Sequence, residues 1–520
     1  MCLALFCACT TAFAQKRGEP DIDVEQLRKL QFAQLAISNL YVDSVDQKKL
    51  VEDAINGMLS KLDPHSSYTN AEETRKLNEP LEGNFEGIGV QFNMLNDTLV
   101  VIQPTAKGPS ERAGIVAGDR IVSVDGRAIA GVKMDRDSIM RLLRGPKNSK
   151  VVLGVVRRGV KAPLSFKVTR DKIPVNTVDA AYIIAPGIGY IHLERFGATS
   201  GKEVHDAIAK LQGEGMEKLI FDLGVNGGGY LGAAVDVASE FLPGGSLVVY
   251  TQGRTGKDSQ LRASSNGLFR KGGLAILVDE YTASAAEIVS SAVQDHDRVI
   301  VGRRTFGKGL VQRPVELPDG SMIRLTVSHY YTPSGRCIQK PYVKGEKEKY
   351  NEDLNTRFTH GELMHLDSIH LDSTKVYTTL EKHRTVYGGG GIMPDIFVPL
   401  DTTSYTPYYR ALSRNNLITQ AALRFTDSNR KPILRRYKSF DDYLSSYTIP
   451  TSLLDDIEKE AEKKGIKPKD EAERKEARED MAFMLKALVA YNVWDRNEYF
   501  RIINQKNDIV KRALEELQKP

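Results

Sequence analysis

Two stretches of this chain hold residue types that together can break an acyl bond. In LAILVDEYTASAAE, residues 274–287, an apolar run fit for a buried strand gives way to a turn, and Ser284 stands where a helix should begin. The amide of Ala285 would then lie at a helix N-terminus, whose partial positive charge favours a developing oxyanion. The same spacing, Ser284-x-x-Glu287, also spells a capping box, in which the serine only holds helix amides. The second stretch is Thr305-Phe306-Gly307-Lys308-Gly309, with a lysine at the start of a strand beside Phe306 and Leu310. An apolar setting disfavours the ammonium form and brings a lysine toward the pKa of a general base. A Ser–Lys pair is one variant of the serine triad. On a strand, positions 308, 310 and 312 share a face, so Gln312 is placed to orient the lysine amine.

Three glycine-marked motifs surround these stretches. Asp222 to Gly229 follows a strand and precedes a helix, and its glycines would let the Gly228 amide approach a ligand as the second half of an oxyanion hole. A plain strand-to-helix turn is the competing reading. Gly87-Ile88-Gly89-Val90 enters a strand, where the amides of Ile88, Gly89 and Val90 could hold a terminal carboxylate while the strand edge pairs with an extended peptide. Gly302-x-x-x-x-Gly307-Lys308 nearly spells a phosphate-binding loop, but Gly309 stands where a hydroxyl must hold magnesium, and a strand pattern follows instead of a helix.

The elements that must position these residues divide the chain. Residues 20–82 read as helical: Leu50, Val51, Ala54, Ile55, Met58 and Leu59 recur on one face after an N-cap at Asp46, and a turn from Leu62 to Tyr68 ends the segment. Residues 83–172 read as a small mixed α/β, barrel-like module with helical patches at 109–114 and 136–143. Residues 173–400 read as an α/β core with helices near 200–213, 230–241 and 284–294, then a hairpin turning at Pro318-Asp319-Gly320. Within it, residues 341–386 are polar and read as a solvated excursion. Residues 401–520 read as helical, with the Glu- and Lys-rich run 455–482 a solvated face. The fold class is multidomain α/β.

A length of 520 residues calls for three or four domains. The net charge of +5 is spread along the chain without a basic, aromatic-laced stripe, which argues against a nucleic-acid partner. Residues 3–14 carry no charge and end in Ala12-Phe13-Ala14, the pattern of a signal peptide spanning residues 1–14. The basic segment that should precede it is missing, so a start upstream of this one is expected. Export, to a periplasm or cell envelope, is therefore expected. Cys337 is the single cysteine outside this leader, so no intramolecular disulfide is expected. The histidines show no ligand spacing, and neither metal nor cofactor is expected; His65 and His296 read as a turn and a surface residue.

From about residue 50 to residue 400 the sequence resembles the carboxyl-terminal processing, or tail-specific, serine peptidases. The resemblance is carried by Tyr281 to Glu287, by Thr305 to Gly309 with Gln312, by Thr332-Pro333-Ser334-Gly335-Arg336, and by Gly390-Gly391-Ile392-x-Pro394-Asp395. It implies Ser284 as nucleophile, Lys308 as base and Gln312 as its orienter. It also implies a core related to the crotonase and Clp protease folds, with an inserted PDZ domain at 83–172. The substrates it implies are exported proteins or peptides with apolar C-termini. An arginine at position 144 would link the PDZ domain to the core and gate it; the plainer reading is a solvated helix-end arginine. A homodimer through the helical N- or C-terminal regions and an activator protein complete the expected partners. Two departures stand out: Gly224 replaces the usual Arg and Gly227 a frequent Pro. They keep open a PDZ-bearing binding protein that has lost catalysis, and a crotonase-like enzyme acting on an acyl thioester is a further class.

Overall fold

Asp23 and Asp46 each turn a carboxylate onto the first free amides of a helix, starting α1 (Val24–Leu40) and α2 (Gln47–Leu59). The computed structural model describes residues 23–254 and 259–519, so the expected leader lies outside it. The apolar face expected on α2 does not pack inward: only Leu59 is buried there, and no residue of α1 is. The N-terminal region is also not wholly helical, because Ser67–Thr69 is a strand paired with Met322–Tyr331 of the core. An Asn70–Glu73 capping box then opens α3 (Ala71–Glu82), which ends at Gly83 in the left-handed region.

The small module is closed where its two ends meet, Asn84–Gly87 pairing antiparallel with Asp171–Pro174. Its sheet runs in the order Val90–Leu95, Thr98–Pro104, Arg120–Val124, Lys150–Val156, Leu164–Thr169. The hairpin after Val124 turns on Asp125 and Gly126, both at positive φ (48° and 81°), as a two-residue turn of this hand requires. Helices α4 (Pro109–Arg112) and α5 (Arg136–Leu143) fall on the expected patches. Val90–Leu95 is an end strand among the described residues, so one of its edges has no sheet neighbour.

The core sheet orders Val178–Ala185, Ile188–Leu193, Lys218–Asp222, Gly273–Val278, Val299–Gly302 and Ile396–Phe397, parallel after the first pair. Helices α6 (Ser200–Gly213), α7 (Leu231–Ser239) and α8 (Ala285–Asp295) intervene. Leu274 to Val278 is buried throughout, the continuous apolar run of a parallel strand covered on both faces. Three loops leave the carboxyl ends of three adjacent strands, after Asp222, Val278 and Gly302. Open parallel sheets place their ligands at such ends. A second sheet holds the hairpin Leu310–Glu316 and Met322–Tyr331.

The polar stretch 341–386 turns inward rather than outward, burying Tyr350, Arg357, Glu362 and Leu363. Its charges are tolerated because they are paired: Glu362 accepts from both Arg304 and Arg357. The C-terminal helices run from Pro407–Arg414 to Asp508–Gln518, and the last one packs Val510, Ala513 and Leu517 behind the core sheet. The run 455–482 spans two helices, and Arg474 and Arg478 of the second pair with Glu458 of the first. No described helix is long and apolar enough to cross a membrane.

Candidate active site

Ser284 has φ 58° and ψ −115°, a backbone conformation that a side chain resists. The turn that imposes it is tied down from within. Asp279 accepts the N–H groups of Tyr281 and Thr282 at 3.0 Å, and the Thr282 hydroxyl donates to Leu223 O at 2.8 Å. The capping box is used for more than capping. Glu287 accepts the Ser284 N–H at 2.8 Å and so holds the turn, and Ser284 lines the cleft.

Glu287 is fully buried, and its other bonds reach the lysine loop. It accepts from the Thr305 hydroxyl (2.5 Å), the Gly307 N–H (2.7 Å) and the Lys308 N–H (2.9 Å). Burial pushes its carboxyl above the usual range, and these four donors pull the other way. Tyr330 makes a second link, its buried hydroxyl donating to Lys308 O at 2.7 Å and lying 3.1 Å from Ser284 O. Sequence reasoning saw Glu287 only as a cap and missed Tyr330.

Lys308 is half-buried, and burial holds its amine below the usual lysine range, against the field of Glu287. Its amine donates to Gln312 Oε1 at 2.9 Å, the expected contact, although Lys308 lies two residues before the strand Leu310–Glu316 and the pairing shifts between Val311 and Gln312. Ser284, Lys308 and Gln312 line one cleft of about 1280 Å³ with Gly228, Leu231, Ala285, Ile288 and Leu310. Helix α3 forms another wall through Lys76 to Glu82.

The Gly228 expectation needs correction. Its N–H is spent on Asn226 Oδ1 at 2.9 Å, within its own loop, so it is not free for an oxyanion in this state. Sequence held the signal: an Asn side chain commonly bonds the backbone two residues on. What Gly228 supplies here is close approach, at φ 96°, where a Cβ would lie 2.8 Å from Ser284 Cβ and 2.9 Å from Ala285 N. Ala285 is the first residue of α8, where helix amides lack an intrahelical acceptor. At Gly224 a Cβ would lie 3.0 Å from Asp222 Oδ1, on a loop whose Val225 N–H donates to Asp279 at 3.0 Å.

In the small module, Ile88, Gly89 and Val90 enter the end strand as expected. The carbonyls are the groups tied down: Ile88 O accepts from Ser110 (N–H 3.0 Å, hydroxyl 2.7 Å) and Gly89 O from the Thr105 N–H (3.0 Å). Arg144 is not a solvated helix end. It pairs with Glu79 of α3 and lies over the Phe85 ring, 4.8 Å from its centroid. Lys76 and Glu72 of α3 pair with Asp137 and Arg141 of α5, so the module's helix is fastened to a wall of the cleft. The C-terminal helices hold the module's other side, through Arg120–Asp427 at 2.7 Å and a Gln91–Tyr491 hydrogen bond. Among the described residues, no cluster of potential metal ligands forms.

Family models match four segments: peptidase family S41 at residues 187–347, a PDZ domain at 87–172, the activating protease CtpB N-terminal domain at 8–74, and a family of unknown function at 408–495. The carboxy-terminal-processing protease of Bartonella bacilliformis is 37% identical over 305 residues, which is 58% of this chain and 69% of that protein. Carboxy-terminal processing protease CtpB of Bacillus subtilis is 34% identical over 341 residues, 65% of this chain and 70% of its own. Among solved structures, a photosystem II D1 C-terminal processing protease aligns at 28% identity over 72% of this chain and 93% of its own, with a TM-score of 0.35.

Proposed function

The chain belongs to the carboxy-terminal processing proteases of peptidase family S41, and from that premise we propose that it cleaves exported proteins or peptides through a Ser284–Lys308 pair. The neutral Lys308 amine takes the Ser284 hydroxyl proton as Oγ attacks the scissile carbonyl. The resulting ammonium returns the proton to the leaving amine as the C–N bond breaks, and water then hydrolyses the acyl-enzyme with Lys308 again as base. Gln312 orients the amine. The Ala285 N–H is one oxyanion donor.

One observation carries this reading: a half-buried lysine, its amine held by Gln312, shares a cleft with a serine on a strained turn. The PDZ domain captures the substrate's C-terminal carboxylate at Ile88, Gly89 and Val90 and its last residues along Val90–Leu95. Export is favoured by the uncharged leader at residues 3–14. A homodimer is favoured by α1, which leaves Leu30, Phe32, Leu35 and Leu40 at least half exposed. Such a surface also suits an activator protein.

The test is digestion of an unstructured peptide with an apolar C-terminus by the wild type, Ser284→Ala and Lys308→Arg. Cleavage by the wild type alone is the expected result. A guanidinium stays protonated, so an active Lys308→Arg enzyme would sink the pair.

A further inference from the structure

A primary amide has a donor end and an acceptor end, and only the acceptor end can hold an N–H of Lys308. Lys308 Nζ donates to Gln312 Oε1, and the other end, Gln312 Nε2, donates to the main-chain carbonyl of His65 at 2.5 Å. A carbonyl can only accept, so His65 permits one of the two amide orientations. We propose that the turn Asp63-Pro64-His65-Ser66 is a positioning element of the protease: the His65 carbonyl sets Gln312, and through it Lys308, while Asp63 sets the carbonyl. The inference rests on the Ser284–Lys308 reading.

The turn is built to hold that carbonyl still. Asp63 Oδ1 accepts the His65 N–H (2.9 Å), the Ser66 N–H (3.0 Å) and the Thr326 hydroxyl (2.8 Å), and Oδ2 accepts the Ser66 hydroxyl (2.5 Å). Thr326 is the residue opposite Gln312 in the hairpin, and its N–H donates to Ser66 Oγ at 3.1 Å. The turn is therefore fastened to the strand beside the residue it orients. Its ring side reaches the other flank of Lys308. His65 Nε2 lies 2.9 Å from the Tyr350 hydroxyl, which accepts from Gln339 Nε2 at 3.3 Å, and Gln339 Oε1 accepts the Gly309 N–H at 2.8 Å. Burial and the nearby Lys308 bring His65 from the usual 6.5 to about 4, so the ring is neutral wherever Lys308 works as a base. The charged groups that face Lys308 are Glu287 from α8, Arg324 from the neighbouring strand and Asp63 from the turn.

The experiment compares Asp63→Ala with Asp63→Asn, each in the wild type and in Gln312→Ala. Asn keeps the Oδ1 acceptor and loses the charge; Ala loses both. Each variant loses the carboxylate that favours protonated Lys308, so both should move the acid limb of the pH–rate profile to lower pH. Only Asp63→Ala should lower the kcat plateau, roughly tenfold with KM little changed. In the Gln312→Ala background that fall should shrink to less than about twofold, since the interaction it disturbs is already gone. Thr326→Val loosens the same carboxylate and should show the pattern at lower amplitude; it replaces Asp63→Ala if melting shows that variant unfolded. Wild-type kcat in Asp63→Ala, or an equal fall in both backgrounds, overturns the positioning role. Turnover by Lys308→Ala in the same assay would instead overturn the Ser–Lys reading itself.

Discussion

The two halves of the site are held in opposite ways. The turn from Asp279 to Glu287 is fixed largely by its own residues: Asp279 binds Tyr281 and Thr282, and Glu287 binds the Ser284 N–H. The stretch from Thr305 to Gln312 is fixed from afar, by His65 at Gln312, Gln339 at Gly309, and Arg357 at the carbonyls of Arg304 and Thr305. The serine half thus comes with the core, whereas the lysine half leans also on the N-terminal turn and the 341–386 segment. Among the described residues, Glu287 is the one buried side chain that bonds both loops directly through its carboxylate.

On the proposed mechanism both halves are needed for turnover, so the largest effects should come from either. Ser284→Ala and Lys308→Ala should each lower kcat by about a thousandfold or more, measured on a peptide substrate. Because burial lowers the Lys308 pKa, the wild-type rate should rise with pH through a value below that of a free lysine and level off above it. A profile flat from acid to neutral pH would contradict a lysine base.

Glu287→Gln tests the link between the halves. It presents an NH₂ group to backbone donors, so it should cost about 1–3 kcal/mol by thermal or urea unfolding and lower kcat about a hundredfold. A loss of stability with full activity would mean that the two loops hold their places independently.

Gln312→Ala probes the lysine half alone. It should slow turnover about tenfold, less than loss of Ser284 or Lys308, because Gln312 transfers no proton. Unchanged activity would remove Gln312 from the site. Amidating the substrate's C-terminus acts further out still. It should weaken binding to the PDZ domain about tenfold, roughly the contribution of one charge-assisted hydrogen bond, as read by titration. Equal processing of free-acid and amidated peptides would refute tail recognition. The smallest effect is expected from Arg144→Ala, which frees α5 from Glu79 on the cleft wall. Short peptides should then be cut up to about threefold faster if the PDZ domain restrains the cleft, as loss of a partly exposed ion pair allows. No change there, and none on deleting residues 84–172, would leave the domain as a tether.

This division also explains what was legible in the sequence. Ser284, Lys308 and Gln312 could be read because chemistry fixes their types, and strand and helix periods fix their local placement. Tyr330 and His65 could not, since one is 22 residues from Lys308 and the other 247 from Gln312, and nothing local marks a carbonyl as an acceptor. Residues 341–386 misled because their composition is that of a solvated segment. Their charges are instead compensated in pairs, which composition does not reveal. The apolar positions of α2 were identified correctly as a face, but periodicity says nothing of what the face meets.

Ser284 itself has a consequence for how such a protein changes over generations. At φ 58° and ψ −115° a glycine would sit without the penalty that any side chain bears. Ser284→Gly should therefore raise stability by about 1 kcal/mol while ending proteolysis. At this codon thermal robustness and activity select in opposite directions. A lineage freed from the need to cut would drift readily to glycine there and keep the PDZ domain and its cleft as a peptide-holding scaffold.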